Sequence, residues 1–254
     1  MKKYILILCI ISIGLLSGGC IKKTPDLTDL DEIIQRGYLI AGVKEDSPPF
    51  GYYKDNNLQG IDIDIAQQIA NDIFQNESRA NIRFVKVNPQ NRISKLNSKE
   101  VDILVATMSV NDKRKLVINF SIPYFIANQK LMIRKDSKIS HIQYFNTSGK
   151  LGVVLGTTGE RIIRLAAPTA RITGVRSYKE ATSLLLSGQI DGVIGDDCIL
   201  RGYLTDKLKI INKIYSKEYY AVAVRKSEKS KELLNEINTS ISSMLDEKKI
   251  KLKG

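Results

Sequence analysis

The chain alternates short apolar runs with segments in which apolar residues recur every three or four positions. Runs typical of strands buried on both faces lie at 38–43, 101–106, 151–155 and 190–195, and 82–85 predicts a further strand. Helical spacing predicts helices over 27–35, 61–74, 90–96, 156–165 and 181–187. This alternation of strands and helices predicts an α/β protein with a mostly parallel sheet.

A faint internal repeat divides the chain. Residues 96–102 align with 185–191, and in both segments a helix end runs through an Asp into a buried strand. This indicates two α/β lobes of similar plan, although helix-to-strand turns can also resemble one another by chance. Two such lobes leave a cleft at the carboxyl ends of their strands, where open α/β sheets bind ligands.

The N-terminus has the pattern of an export signal. A basic start is followed by the apolar run 4–16, which is too short to span a bilayer, and then by small residues before Cys20. The small residues resemble a bacterial lipobox, with Ser17 at the place that Leu usually occupies. We expect residues 1–19 to be a signal peptide and 20–26 a tether lipidated at Cys20, giving an extracytoplasmic protein anchored to the cell membrane. The alternative is an ordinary cleaved signal with an incidental Cys.

Composition narrows the function classes. The 254 residues are 43% hydrophobic and 26% charged, which excludes a disordered or collagen-like chain. Cys9, Cys20 and Cys198 lack the spacing of metal ligands, so we expect no metal site and no cofactor. The formal net charge is +12, but the Lys residues are scattered and lack a nucleic-acid motif. We expect a solvated basic surface, no nucleic-acid partner and a monomer.

Groups suited to a free amino acid follow three of the predicted strands. Arg114, after the strand at 101–106, offers a planar fork that matches a carboxylate. Thr157 and Glu160 have capping-box spacing after 151–155, in a glycine-containing helix start that a ligand can approach. Asp196 follows 190–195 and suits an ammonium group. Each feature alone is more often structural, and their convergence predicts the pocket.

The same segments carry a family resemblance, which extends from about residue 31 to 245. Its markers are the segments 60–66, 101–106, 120–124, 156–160 and 188–192, together with Arg114. The chain resembles the extracytoplasmic solute-binding proteins of polar amino-acid ABC importers, known as solute-binding protein family 3. The resemblance implies a periplasmic-binding-protein type II fold with two α/β lobes joined by two crossover strands. Lobe 1 would combine 27–127 with 219–254, and lobe 2 would be 128–218.

The resemblance also implies residue roles. Arg114 would hold the ligand α-carboxylate with help from Thr107, Ser109 and Thr158, and Asp196 would receive the α-amino group. The full candidate ligand-binding set is Lys44, Asp46, Phe50, Arg92, Thr107, Met108, Ser109, Arg114, Thr157, Thr158 and Asp196.

The expected ligand has an acidic or amide side chain. Family members that bind basic amino acids carry an acid and an aromatic residue where this chain has Lys44 and Ser47. Residues 88–92 instead resemble members that bind glutamate, aspartate or glutamine, in which an Arg at the place of Arg92 reaches the ligand side chain. Arg92 could equally be a surface helix residue. We expect an acidic ligand to bind best, glutamine next, and arginine or lysine worst.

The leading hypothesis is a non-enzymatic receptor that delivers a polar amino acid to a membrane ABC permease. The rival is an enzyme on the same fold, resembling cyclohexadienyl dehydratase. A fused sensory module is disfavoured because the sequence after residue 20 lacks a transmembrane pattern. Other features are assigned to structure: Asp62 and Asp64 at a helix start, and an amphipathic C-terminal helix with Leu233, Ile237 and Ile241 on its buried stripe.

Overall fold

The structure is a computed structural model that describes residues 26–76 and 81–250. Its helices are α1 (Asp29–Arg36), α2 (Ile61–Phe74), α3 (Arg92–Asn97), α4 (Asp112–Lys115), α5 (Thr158–Ala166), α6 (Tyr178–Leu186), α7 (Asp197–Arg201) and α8 (Lys231–Asp246). Short 3₁₀ turns occupy Ile142–Asn146 and Glu228–Ser230. The predicted signal peptide and Cys20 lie outside the described residues, as does most of the tether. Within the described ranges, no helix is long and apolar enough to cross a membrane.

The strands form two sheets. They are β1 (Leu39–Val43), β2 (Asp46–Ser47), β3 (Gly51–Lys54), β4 (Asn57–Gln59), β5 (Ile82–Lys86), β6 (Ile103–Val105), β7 (Ile118–Arg134), β8 (Lys150–Val154), β9 (Arg171–Val175), β10 (Gly192–Asp196), β11 (Leu208–Ile210) and β12 (Ser216–Arg225). The main sheet has the order β5-β1-β6-β12-β7-β10-β8-β9, with β11 also paired to β7. Strands β2, β3 and β4 form a small antiparallel sheet.

Two long antiparallel strands join the halves of the main sheet. Parallel strands β5, β1 and β6 lie on one side of them, and parallel strands β10, β8 and β9 lie on the other. In the middle, β12 pairs antiparallel with β7 from Ser216 opposite Gln129 to Arg225 opposite Ile118. The α/β class and the two-part plan are therefore confirmed, while the sheet is mixed rather than mostly parallel. The expected lobe boundaries, 127/128 and 218/219, fall within β7 and β12 and remain predictions.

The helices cover the sheet with the faces that their sequence spacing predicts. Helix α2 has the predicted bounds, and Ile65 and Ile69 on its apolar face are fully buried. The predicted C-terminal stripe is buried on α8 through Leu233, Ile237 and Ile241. Burying such apolar side chains contributes about 1.5–3 kcal/mol each.

One predicted capping box is wrong. At the start of α5 the Thr157 hydroxyl donates to the Val154 carbonyl at 2.7 Å, so it acts on the preceding strand end instead of receiving an N–H of its own helix. At the start of α6, by contrast, Ser177 Oγ accepts from the Glu180 N–H at 3.1 Å, as its spacing predicts. The difference leaves the N–H groups at the start of α5 beside the cleft.

Candidate ligand-binding site

A small polar pocket lies at the carboxyl ends of β1, β6, β8 and β10. The wall is formed by Lys44, Pro89, Arg92, Thr107, Ser109, Arg114, Thr157, Thr158, Tyr178, Asp196 and Ile199. Both halves of the main sheet contribute to this wall. Most of the candidate residues from the sequence are therefore brought together in this wall.

Arg114 lies where the two halves meet. Its Nη1 donates to the Ser109 carbonyl at 2.7 Å, and its Nη2 donates to the Gly156 carbonyl on the other side of the cleft at 3.2 Å. The side chain of Asn111 caps α4 by accepting the Arg114 N–H at 2.9 Å, as is common for Asn at a helix start. The backbone of Arg114 is thus fixed by the cap, and its guanidinium group lies at the boundary between the lobes.

Arg92 is buried at the pocket wall and is not a surface residue. Its Nη1 donates to the Ala106 carbonyl at 2.7 Å. Among the residues that the structure describes, its Nε has no hydrogen-bond partner. Burial, together with the nearby charge of Arg114, lowers the pKa of Arg92 to about 9, so the guanidinium remains charged at neutral pH.

Lys44 is a further cation on the pocket wall. It is buried, its Nζ lies 5.6 Å from the centre of the Tyr178 ring, and Asp46 Oδ1 is 3.9 Å away. Burial lowers the pKa of Lys44, and the nearby Asp46 opposes that shift. Because the Asp46 side chain is 42% exposed, solvent weakens this ion pair.

Asp196 is a buried acid with two neutral donors. Gln129 Nε2 donates to Oδ1 at 2.6 Å, and the Tyr220 hydroxyl donates to Oδ2 at 2.5 Å. Burial, with a smaller contribution from Glu218, raises the pKa of Asp196 to about 7. The neighbouring Asp197 has separate partners, Asn128 N–H at 3.0 Å and Lys130 Nζ at 3.4 Å, so the two acids do not form a pair.

The remaining candidates lie around the pocket. Phe50 packs edge-on against Phe125 and Tyr220, with ring centres 4.9 and 5.3 Å apart. Met108 is buried in the apolar core beside the wall, and Asp46 lies at the rim. Their ligand roles stay predictions.

Several residues that support the site were missed by the sequence analysis. Tyr178 lines the pocket, Gln129 and Tyr220 hold Asp196, and Asp62 holds the Thr107 N–H at 2.9 Å. The helix predicted over 181–187 did not include Tyr178, which is the first residue of α6 in the structure. The sequence contained no signal for Gln129 either, because its place beside Asp196 depends on the register of β7 and β10.

The two halves touch across the cleft in this structure. Gln90 Nε2 donates to the Leu155 carbonyl at 2.5 Å, and the Tyr203 hydroxyl donates to the Asp46 carbonyl at 2.5 Å. A side chain added at Gly156 would place its Cβ 2.7 Å from the Pro89 carbonyl oxygen. These contacts describe a closed cleft. Within the described ranges, no cluster of His, Cys, Asp and Glu could hold a metal ion.

A two-part α/β sheet closed around a polar pocket defines a solute-binding protein. Residues 39–252 match the family model for bacterial extracellular solute-binding proteins, family 3, and the chain belongs to this family. It is a non-enzymatic binding protein of the polar amino-acid ABC transporter type, with a mixed α/β periplasmic binding protein fold, and the enzyme alternative is set aside.

Relatives and solved structures extend this finding. The ABC transporter glutamine-binding protein GlnH of Bacillus subtilis is 34% identical over 90% of this chain and 84% of its own length. A glutamine-binding protein of Geobacillus stearothermophilus is 33% identical over 79% of this chain and 78% of its own. Among solved structures, a mutant of ArgBP from T. maritima superposes with a TM-score of 0.80 at 29% identity, covering 87% of this chain and 95% of that one.

Proposed function

We propose that this protein captures a free amino acid with an amide or acidic side chain, glutamine or glutamate, and delivers it to an ABC permease in the membrane. The observation that carries the proposal is the charge arrangement of the pocket. The buried cations Lys44 and Arg92 and the buried acid Asp196 all line the same pocket. A zwitterion whose side chain ends in oxygen acceptors complements this arrangement.

The α-carboxylate would be held by Arg114, with the hydroxyls of Thr107, Ser109, Thr157 and Thr158 on the surrounding wall. Guanidinium and carboxylate groups form paired, charge-assisted hydrogen bonds, which fix orientation as well as adding affinity. The α-ammonium would approach Asp196, whose oxygens are already oriented by Gln129 and Tyr220.

The side chain would point toward Lys44 and Arg92. An amide oxygen or a carboxylate can accept from the free Arg92 Nε and from the Lys44 ammonium, which satisfies buried donors that are costly to leave unpaired. A lysine or arginine ligand would instead bring a further cation to this region. The two glutamine-binding relatives at 34% and 33% identity support the same ligand class.

Binding would act through closure of the two lobes. Strands β7 and β12 connect the halves, and the pocket wall draws residues from both. A ligand that contacts both halves stabilises the closed state by its differential affinity for that state. We propose lobe boundaries at 127/128 and 218/219, within these two strands.

The same proposal places the protein outside the cytoplasm. Residues 1–19 would direct export, Cys20 would receive the lipid, and 20–26 would tether the receptor near its permease. No nucleic-acid partner is proposed, and the receptor would act as a monomer.

Calorimetry with modified ligands directly tests the proposed contacts to the α-carboxylate and the α-ammonium group. Glutamine should bind, whereas N-acetylglutamine and the α-amide of glutamine should bind at least about 100-fold more weakly, because each removes one charged end. Arg114→Ala should abolish the discrimination against the α-amide. Equal affinity for glutamine and both derivatives would contradict the proposed function.

A further inference from the structure

Behind the pocket wall, a buried carboxylate joins two distant parts of the fold. Asp62 is fully buried in the first turn of α2. Its Oδ1 accepts from the Tyr124 hydroxyl at 2.7 Å, and its Oδ2 accepts from the Thr107 N–H at 2.9 Å. These contacts connect α2 and β7 to the loop that follows β6.

The Thr107 contact bears on the pocket. Thr107 has φ 47°, a left-handed conformation that costs energy in a residue with a branched side chain. The hydrogen bond from its N–H to Asp62 holds this peptide in place. The preceding carbonyl, from Ala106, accepts from Arg92 Nη1 at 2.7 Å. Asp62 therefore orients the backbone segment that holds Arg92, one of the cations on the pocket wall.

Asp62 also supplies charge. Burial raises its pKa to about 6, and hydrogen bonds from Tyr124 and Thr107 oppose that shift, as do the charges of Lys44 and Arg92. The carboxylate is accordingly ionised at slightly alkaline pH. A negative charge behind two cations weakens the positive field that those cations present to a ligand.

We propose that Asp62, behind the pocket wall, is a specificity-determining residue, whose charge lets the pocket accept the neutral amide of glutamine alongside the carboxylate of glutamate. This inference rests on the proposed function. With Asp62 ionised, the cations Lys44 and Arg92 are partly offset, and an amide oxygen satisfies their donors without a full counter-charge. With Asp62 neutral, the unbalanced cations favour a carboxylate side chain.

The test is the selectivity of Asp62→Asn, measured by calorimetry with glutamine and glutamate at about pH 8. Asparagine is nearly isosteric: its oxygen can accept the Thr107 N–H, and its amide can donate to the Tyr124 hydroxyl. The ratio of the two affinities should shift toward glutamate by about five- to tenfold relative to wild type. An unchanged ratio, or a shift toward glutamine, would overturn the inference.

Tyr124→Phe is the matched control, because it removes a hydrogen bond to Asp62 but leaves the carboxylate. Tyr124→Phe should change the affinities for glutamine and glutamate by the same factor and so keep their wild-type ratio. If its ratio shifts as much as that of Asp62→Asn, the charge of Asp62 is not the cause of the selectivity. If Asp62→Asn is unstable, the double variant D62N/Y124F removes the charge together with its hydroxyl partner and must show the same shift. If the wild-type protein binds neither glutamine nor glutamate, both the proposed function and this inference are refuted. If the wild-type protein binds them and Asp62→Asn has the same ratio of glutamine to glutamate affinity, this inference alone is refuted.

Discussion

The Tyr220 hydroxyl donates a hydrogen bond of 2.5 Å to Asp196 Oδ2 within the pocket wall. Together with Gln129 on Oδ1, it orients the carboxylate without neutralising it. Burial makes this negative charge costly and is the chief reason that the pKa of Asp196 rises to about 7. An amino-acid ammonium would supply a counter-charge in direct contact with the carboxylate.

Ligand affinity should therefore depend on pH through Asp196. Below about pH 7 the ammonium must displace a proton from this acid, so the affinity for glutamine or glutamate should rise as the pH increases from about 6 to 8. Calorimetry near pH 6.5 in buffers of different ionisation enthalpy should detect release of up to about one proton on binding. Asp196→Asn should bind more weakly and lose this release. Undiminished proton release in Asp196→Asn would contradict the assignment.

The free energy of unfolding of the ligand-free protein should also depend on pH through Asp196, but it should fall as the pH rises, whereas the ligand affinity should increase. Since the pKa of Asp196 is raised from 3.8 to about 7, the folded chain holds a proton that the unfolded chain has lost, and this acid destabilises the fold increasingly as pH rises between those values. Asp196→Asn should be more stable than wild type by about 1–3 kcal/mol near pH 7.5 and by much less near pH 4. Urea unfolding at both pH values measures this, and a gain independent of pH would argue against it.

Gly156 offers a test of cleft closure. Its φ is +77°, and an added Cβ would lie 2.7 Å from the Pro89 carbonyl oxygen across the cleft. Gly156→Ala should weaken ligand binding by about tenfold or more, because it opposes the closed state. Gly188→Ala is the matched control, since φ is +74° there and the nearest atom is 4.0 Å away, on Arg134. Both variants should lose similar stability, and equal ligand affinities in the two would count against closure at Gly156.

The membrane anchor is tested at Cys20. Acylation requires its thiol, so Cys20→Ala should lose fatty-acid labelling and appear either uncleaved or released from the membrane. Fractionation of cells labelled with a fatty-acid analogue measures both properties. A variant labelled as strongly as wild type would refute lipidation at this residue.

The spacing of apolar residues predicted helices and strands well where that spacing was regular. The bounds of α2 follow from apolar residues on one face of a helix, and the strand ends at Thr107, Thr157 and Asp196 marked most of the pocket. The antiparallel core of the sheet was not predicted, because polar residues interrupt the long strand β7 and because its pairing with β12 joins segments far apart in sequence.

The contacts that support the site could not be predicted from local sequence patterns either, because they also join residues far apart in the sequence. Asp62 was assigned to the start of its helix, where an acid usually favours the helix dipole. The structure shows it bonded to Thr107 and Tyr124, which lie 45 and 62 positions along the chain. For Arg92 the sequence left a ligand role and a surface helix position open, and its burial, which comes from packing, excludes the surface position.

A thermal-shift screen of the purified protein against the twenty common amino acids tests the central claim most directly. Glutamine and glutamate should give the largest increases in melting temperature, since a ligand that binds only the folded state stabilises it by RT ln(1 + [L]/Kd), which grows as the ligand binds more tightly. Arginine and lysine should give the smallest increases, because each would bring a cation to a pocket that already holds Lys44 and Arg92. A screen in which arginine or lysine stabilises the protein most would contradict the account of the pocket.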